Sequence, residues 1–166
     1  MTEHTVFVAL GSNLGDSREA ILHAMDQLQS LSTIPLLKSS LWQTTPVDCP
    51  PGSPPFINAV VGIAPLPGET PESLLVKLQS LEKEFGRPTK KVLNEPRPLD
   101  LDIIAFGRET RTTRALVLPH PRAVQRRFVL EPLSEIAPDL VLPGQSKTVA
   151  QLLSELPPDA AMKRIA

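Results

Sequence analysis

The chain has 166 residues, 41% of them hydrophobic, which is enough to build one core without disulfide or metal staples. With 17 Lys and Arg against 18 Asp and Glu, the formal net charge is −1, so the bulk electrostatics call for neither nucleic acid nor an anionic membrane, and any anion site must come from local clustering. Cys49 is the only cysteine; it excludes an intrachain disulfide, fits a reducing compartment and, in a proline-rich loop with no histidine beside it, reads as an incidental thiol.

The N-terminal stretch carries an acid at Glu3 and an apolar run too short for a signal peptide or a membrane span, which predicts a soluble, cytoplasmic protein. Residues 6–10 are β-branched and apolar and end at Gly11, as a buried strand does. A helix follows, capped by Asp16 or Ser17, with Ile21, Leu22, Met25 and Leu28 at helical spacing. Residues 37–44 alternate loosely and predict a second strand. Residues 45–55, dense in proline, predict a loop of restricted backbone freedom.

Residues 56–64 predict a third strand, closed by Pro65, Pro67 and Gly68. Thr70 then caps a helix with Pro71 at its first position and Glu72 in its first turn; Leu74, Leu75, Leu78, Leu81 and Phe85 line one face, and Gly86 ends it as a left-handed cap. Residues 99–106, before the turn at Gly107, predict a fourth strand. The order β-α-β-β-α-β predicts an α+β fold, a ferredoxin-like sheet with helices on one face. The last third reads as irregular, with an extended Pro119–Pro121 segment, a short helix over residues 126–133 and another over residues 148–156 capped by Thr148. The 19 prolines are spread along the chain, so one domain over residues 1–166 is expected, without linker or repeat.

Asp100 and Asp102 are the sharpest local feature. On a strand, residues two apart point to one side, so both carboxylates face one way while Leu99, Leu101 and Ile103 face the other. Like charges so placed repel, and a dication relieves them; hard oxygen ligands suit Mg²⁺, which also takes phosphate oxygens and water. A solvated strand face with two chance acids is the plainer alternative. Arg87, Lys90, Lys91 and Arg97 lie upstream and His120, Arg122, Arg126 and Arg127 downstream. Acids for a metal flanked by cations are the parts of polyphosphate chemistry. No G-x-x-x-x-G-K-[ST] loop is present, and no G-x-G-x-x-G follows a strand; Gly11-Ser12-Asn13-Leu14-Gly15 is a strand-to-helix turn that either exposes amides to a ligand or is simply tight.

The segments Ala9-Leu10-Gly11-Ser12-Asn13-Leu14-Gly15, Thr45-Pro46, Phe56-Ile57-Asn58-Ala59-Val60, Gly86-Arg87, Arg97-Pro98-Leu99-Asp100-Leu101-Asp102-Ile103 and Pro119-His120-Pro121 with Arg126-Arg127-Phe128 together resemble the hydroxymethyldihydropterin pyrophosphokinases, over about residues 6–144. The resemblance implies transfer of pyrophosphate from ATP to 6-hydroxymethyl-7,8-dihydropterin in folate synthesis, by a monomer with two Mg²⁺ ions and no nucleic-acid or membrane partner. Asp100 and Asp102 would hold the ions, and Arg87 and Arg97 would steady the triphosphate with His120 and Arg126. Gln79, Glu82 and Ile103 would lie by the nucleotide. Gly11, Thr45, Pro46, Phe56, Asn58 and Phe128 would form the pterin site. Asn94 and Thr89 stand where many relatives carry a tryptophan and a second arginine, and Lys90 and Lys91 are the nearest cations. A metal-dependent nucleotidyl transferase and a nonenzymatic binding module are the other readings; the near-neutral charge speaks against a polymeric acceptor.

Overall fold

A computed structural model describes residues 4–13, 16–44, 55–86, 99–159 and 162–165. The apolar run read as the first strand takes the middle of the sheet. This strand, β1 (Val6–Ser12), pairs antiparallel with β4 (Phe56–Ile63) on one side and with β5 (Asp100–Phe106) on the other. Beyond β4 lie β2 (Leu37–Lys38), β3 (Trp42–Thr44) and, on the far side of β3, β8 (Lys163–Arg164), so the path across the sheet is β5-β1-β4-β3-β8. A separate two-stranded hairpin joins β6 (Arg111–Thr112) to β7 (Val117–Leu118).

Residues 37–44 form two short strands rather than the single one expected. Ser39 explains the interruption: its backbone amide bonds the Val60 carbonyl, but its hydroxyl takes the Val60 amide at 2.9 Å and donates to the Ser40 carbonyl. A side chain that substitutes for a ladder acceptor breaks the strand there.

Helix α1 (Ser17–Gln29) is capped by Asp16, whose carboxylate accepts the Glu19 amide. Its buried stripe is Ile21, Ala24, Met25 and Leu28; Leu22, expected on that face, is 40% exposed because it sits 100° round the helix from Ile21. Helix α2 (Pro71–Glu84) has the expected Thr70 cap, closed into a capping box by Ser73, and Gly86 takes the left-handed conformation at φ 80°. Both helices pack on the face carrying Val8, Leu10, Ala59, Val61, Leu101 and Ile103.

The expectation of helices on one face only is incorrect, while the two helices expected in the otherwise irregular last third are present. A 3₁₀ turn at Ala123–Gln125 leads into α3 (Arg127–Ile136), which continues past Pro132 and beyond the expected end, and α4 (Val149–Glu155) packs beside it. Val129, Leu130 and Leu133 of α3 cover Phe7, Val60 and Ile104 on the second face. Being covered on both sides, β4 reads as an almost continuous apolar run instead of alternating. Among the described residues no helix is long and apolar enough to cross a membrane.

Candidate active site

The second face is apolar over most of its length and turns polar at one end. Gly11 pairs with Asp100 on one side and Asn58 on the other, and Asn58 pairs with Trp42. Directly paired residues share a face, so Asp100, Gly11, Asn58 and Trp42 form one row across four strands, with Asp102, Ala9 and Val60 in the row next to it.

 The two aspartates are half-buried on that face, while Leu99, Leu101 and Ile103 are buried on the other. Glycine at position 11 keeps this row open: a Cβ there would stand 3.3 Å from Asn58 Oδ1.

Each polar side chain in the row has a physical reason for its position. Asn58 is buried, and its Nδ2 donates to Thr44 Oγ1 at 3.1 Å, which fixes the amide plane and directs Oδ1 toward Gly11. Glu82, on α2, is also buried; its Oε2 accepts the backbone amide of Leu101, the residue between the two aspartates, at 2.8 Å. Glu82 therefore anchors the strand that carries the acids. Gln79 is exposed on the same helix. The Ile103 side chain lies in the core with residues of α1 and α2, as strand alternation predicts for a neighbour of the two acids. Any ligand contact by Ile103 falls to its backbone.

His120 is fastened to β5 by its amide, which donates to the Ile104 carbonyl at 2.8 Å. Its Nδ1 accepts the Arg122 amide at 3.2 Å, which requires the tautomer with the proton on Nε2. Burial, and then the positive charges of Arg126 and Arg122, hold the imidazole below its ordinary pKa of 6.5, against an opposing pull from Asp100. The folded state thus resists protonation, and this contribution to stability is present above pH 6.5 and is lost as the pH falls below it. An NMR titration should place His120 below 6.5, with Arg126→Gln moving it back up; a value above 6.5 contradicts the assignment. Arg126 also lies over Phe128, with Cζ 5.6 Å from the ring centroid. Phe128 is among the exposed large apolar side chains, and Phe56 is half-buried at the start of β4.

The donor set suits a hard dication. Mg²⁺ is usually held by one or two carboxylates together with phosphate oxygens and water, and Asp100 and Asp102 are of that type. Thr45, Pro46, Arg87 and Arg97, with Thr89, Lys90, Lys91 and Asn94, lie outside the described residues. A cavity of about 640 Å³ at the opposite end of the sheet, bordered by His4, Glu69, Phe106 and Arg111, includes none of this cluster. Of its charged groups, Glu69 pairs with Lys77, Arg111 with Glu72 and Glu109, and Arg108 donates to the Val141 carbonyl, so the chemistry points to the aspartate end. Sequence reasoning missed Trp42 and Glu135, which bond each other beside the row; partners 93 residues apart leave no local signal.

Comparison with known proteins gives a consistent result. Residues 7–138 match the family model for 7,8-dihydro-6-hydroxymethylpterin-pyrophosphokinase. A 2-amino-4-hydroxy-6-hydroxymethyldihydropteridine pyrophosphokinase of Pseudomonas aeruginosa is 40% identical over 153 residues, 92% of this chain and 91% of that protein. The folic acid synthesis protein fol1 of Pneumocystis carinii is 39% identical over 152 residues, and there the chain spans only 20% of the relative's length. Among solved structures, Plasmodium falciparum HPPK-DHPS with pteroate superposes with a TM-score of 0.74 at 13% identity, over 96% of this chain and 47% of that one, a likeness of fold.

Proposed function

The chain belongs to the 7,8-dihydro-6-hydroxymethylpterin pyrophosphokinase family and is a pyrophosphokinase of folate biosynthesis, and from that premise we propose how its residues carry the reaction. The substrates are ATP and 6-hydroxymethyl-7,8-dihydropterin. The hydroxymethyl oxygen attacks the β-phosphorus, the bond from that phosphorus to the oxygen shared with the α-phosphorus breaks, AMP leaves with the electron pair, and the hydroxyl proton is released. The observation that carries this reading is the half-buried pair Asp100 and Asp102 on one face of the sheet, with Asp100 in register with Gly11 and Asn58.

Asp100 and Asp102 would hold two Mg²⁺ ions, which when bound neutralise polyphosphate oxygens. The neutral His120 offers its Nε2 proton to a phosphate oxygen, and Arg126 supplies a fixed positive charge; Arg87 and Arg97 complete the anion site. Asn58 reads the heterocycle by donor and acceptor, Phe56 and Phe128 offer ring faces, and Thr45 and Pro46, next in sequence after Thr44, contribute to the pterin site. Gln79, Glu82 and the Ile103 backbone border the nucleotide. The order β5-β1-β4-β3 supports a ferredoxin-like reading of the sheet, the near-neutral charge supports small-molecule substrates over a polymeric acceptor, and the enzyme is taken to act as a monomeric, cytoplasmic single domain.

Incubation with ATP, magnesium and the pterin alcohol should release one AMP for each pterin consumed, with no ADP. Formation of ADP, or AMP release that does not depend on the pterin, sinks the proposed reaction.

A further inference from the structure

Glu135 lies in the third turn of α3, outside the row of acids, and its carboxylate accepts three hydrogen bonds. Oε1 takes the Ser40 amide at 3.1 Å and the Trp42 indole Nε1 at 2.8 Å; Oε2 takes the Ser40 hydroxyl at 2.7 Å. Ser40 belongs to the interruption between β2 and β3, where the backbone ladder alone is weakest, and Trp42 opens β3. The three bonds tie the start of β3 to the helix above it, and bonds to an ionised acceptor are stronger than neutral ones.

What lies at the other ends of these two elements gives the tie a function. Two residues after Trp42, Thr44 accepts the Asn58 amide at 3.1 Å, and Trp42 is itself the ladder partner of Asn58. Seven residues before Glu135, on the same stripe of α3 and about 10 Å along it, stands Phe128, with Arg126 over its ring. One carboxylate thus bridges the strand that orients Asn58 and the helix that presents Phe128.

We propose that Glu135 is a positioning residue for the pterin, holding the Thr44–Asn58 edge and the Phe128 ring at the separation of a flat heterocycle. The proposal rests on the pterin reading of the site given above. Glu135 is exposed and water can replace its bonds, so its removal alters alignment more than stability.

The test uses the full chain and its only tryptophan, Trp42, as a direct reporter of the tie. Glu135→Ala should raise KM for the pterin about tenfold while leaving KM for ATP and kcat within about twofold, and should change Trp42 emission and quenching by acrylamide. Glu135→Gln should restore both, because its Oε1 still accepts from Ser40 and Trp42 and its amide can donate to the Ser40 hydroxyl. Altered Trp42 emission with an unchanged pterin KM overturns the positioning role, as do unchanged emission in Glu135→Ala or equal rises in KM for both substrates. A wild-type chain that turns over no pterin overturns the functional reading as well, and so separates the two failures.

Discussion

Replacing Asp100 or Asp102 with alanine is expected to lower kcat/KM by about a thousandfold or more, since each loss removes several kcal/mol of charge stabilisation from the transition state. Both side chains are half-buried on the polar end of the sheet face, and neither belongs to the two clusters of buried apolar residues that hold the helices on the sheet. The variants should therefore fold as the parent does, with unchanged circular dichroism. Asparagine at either position keeps the shape and one oxygen but not the charge, and should be nearly as inactive. Turnover within tenfold of wild type in both alanine variants would remove the aspartates from the chemistry.

Glu82→Ala is expected to act on the same aspartates indirectly. The buried carboxylate accepts the Leu101 amide, so its loss leaves a buried N–H without that acceptor and frees the segment that carries both acids. The cost should be about 2 kcal/mol of stability, with kcat/KM falling about tenfold or more as the acids lose their alignment. Glutamine retains an oxygen for the amide and should restore most of both losses. Denaturant unfolding and steady-state kinetics on the two variants measure this; an alanine variant as stable and as active as the parent would show that Glu82 does not anchor β5.

The parts of the site that sequence could show are those governed by local periodicity. Asp100 and Asp102 share a face because strand side chains alternate, and the apolar neighbours of the run identify the strand. Thr70, Pro71 and Gly86 mark the ends of α2 by local chemistry alone, and the helix begins where they place it. Helices α3 and α4 could be read in the sequence, but their packing as a second layer and the full extent of α3 were not legible, for the opposite reason. Pro132 signals an early stop to α3, yet burial of Val129, Leu130 and Leu133 against Phe7 and Val60 outweighs the one hydrogen bond that proline removes, and the helix runs on to Ile136. The break at Ser39 and the bond from Glu82 to Leu101 likewise depend on partners in other elements. Nothing nearby in the chain announces them.

In the proposed reaction, Asp100 and Asp102 together gather a divalent cation with the nucleotide. Electron paramagnetic resonance of Mn²⁺, titrated into the chain with an ATP analogue whose α,β-bridging oxygen is replaced by methylene, measures this without turnover. The account predicts tight Mn²⁺ binding that needs the analogue and disappears in the Asp100→Asn, Asp102→Asn double variant. Equal Mn²⁺ binding by the wild type and the double variant would contradict it.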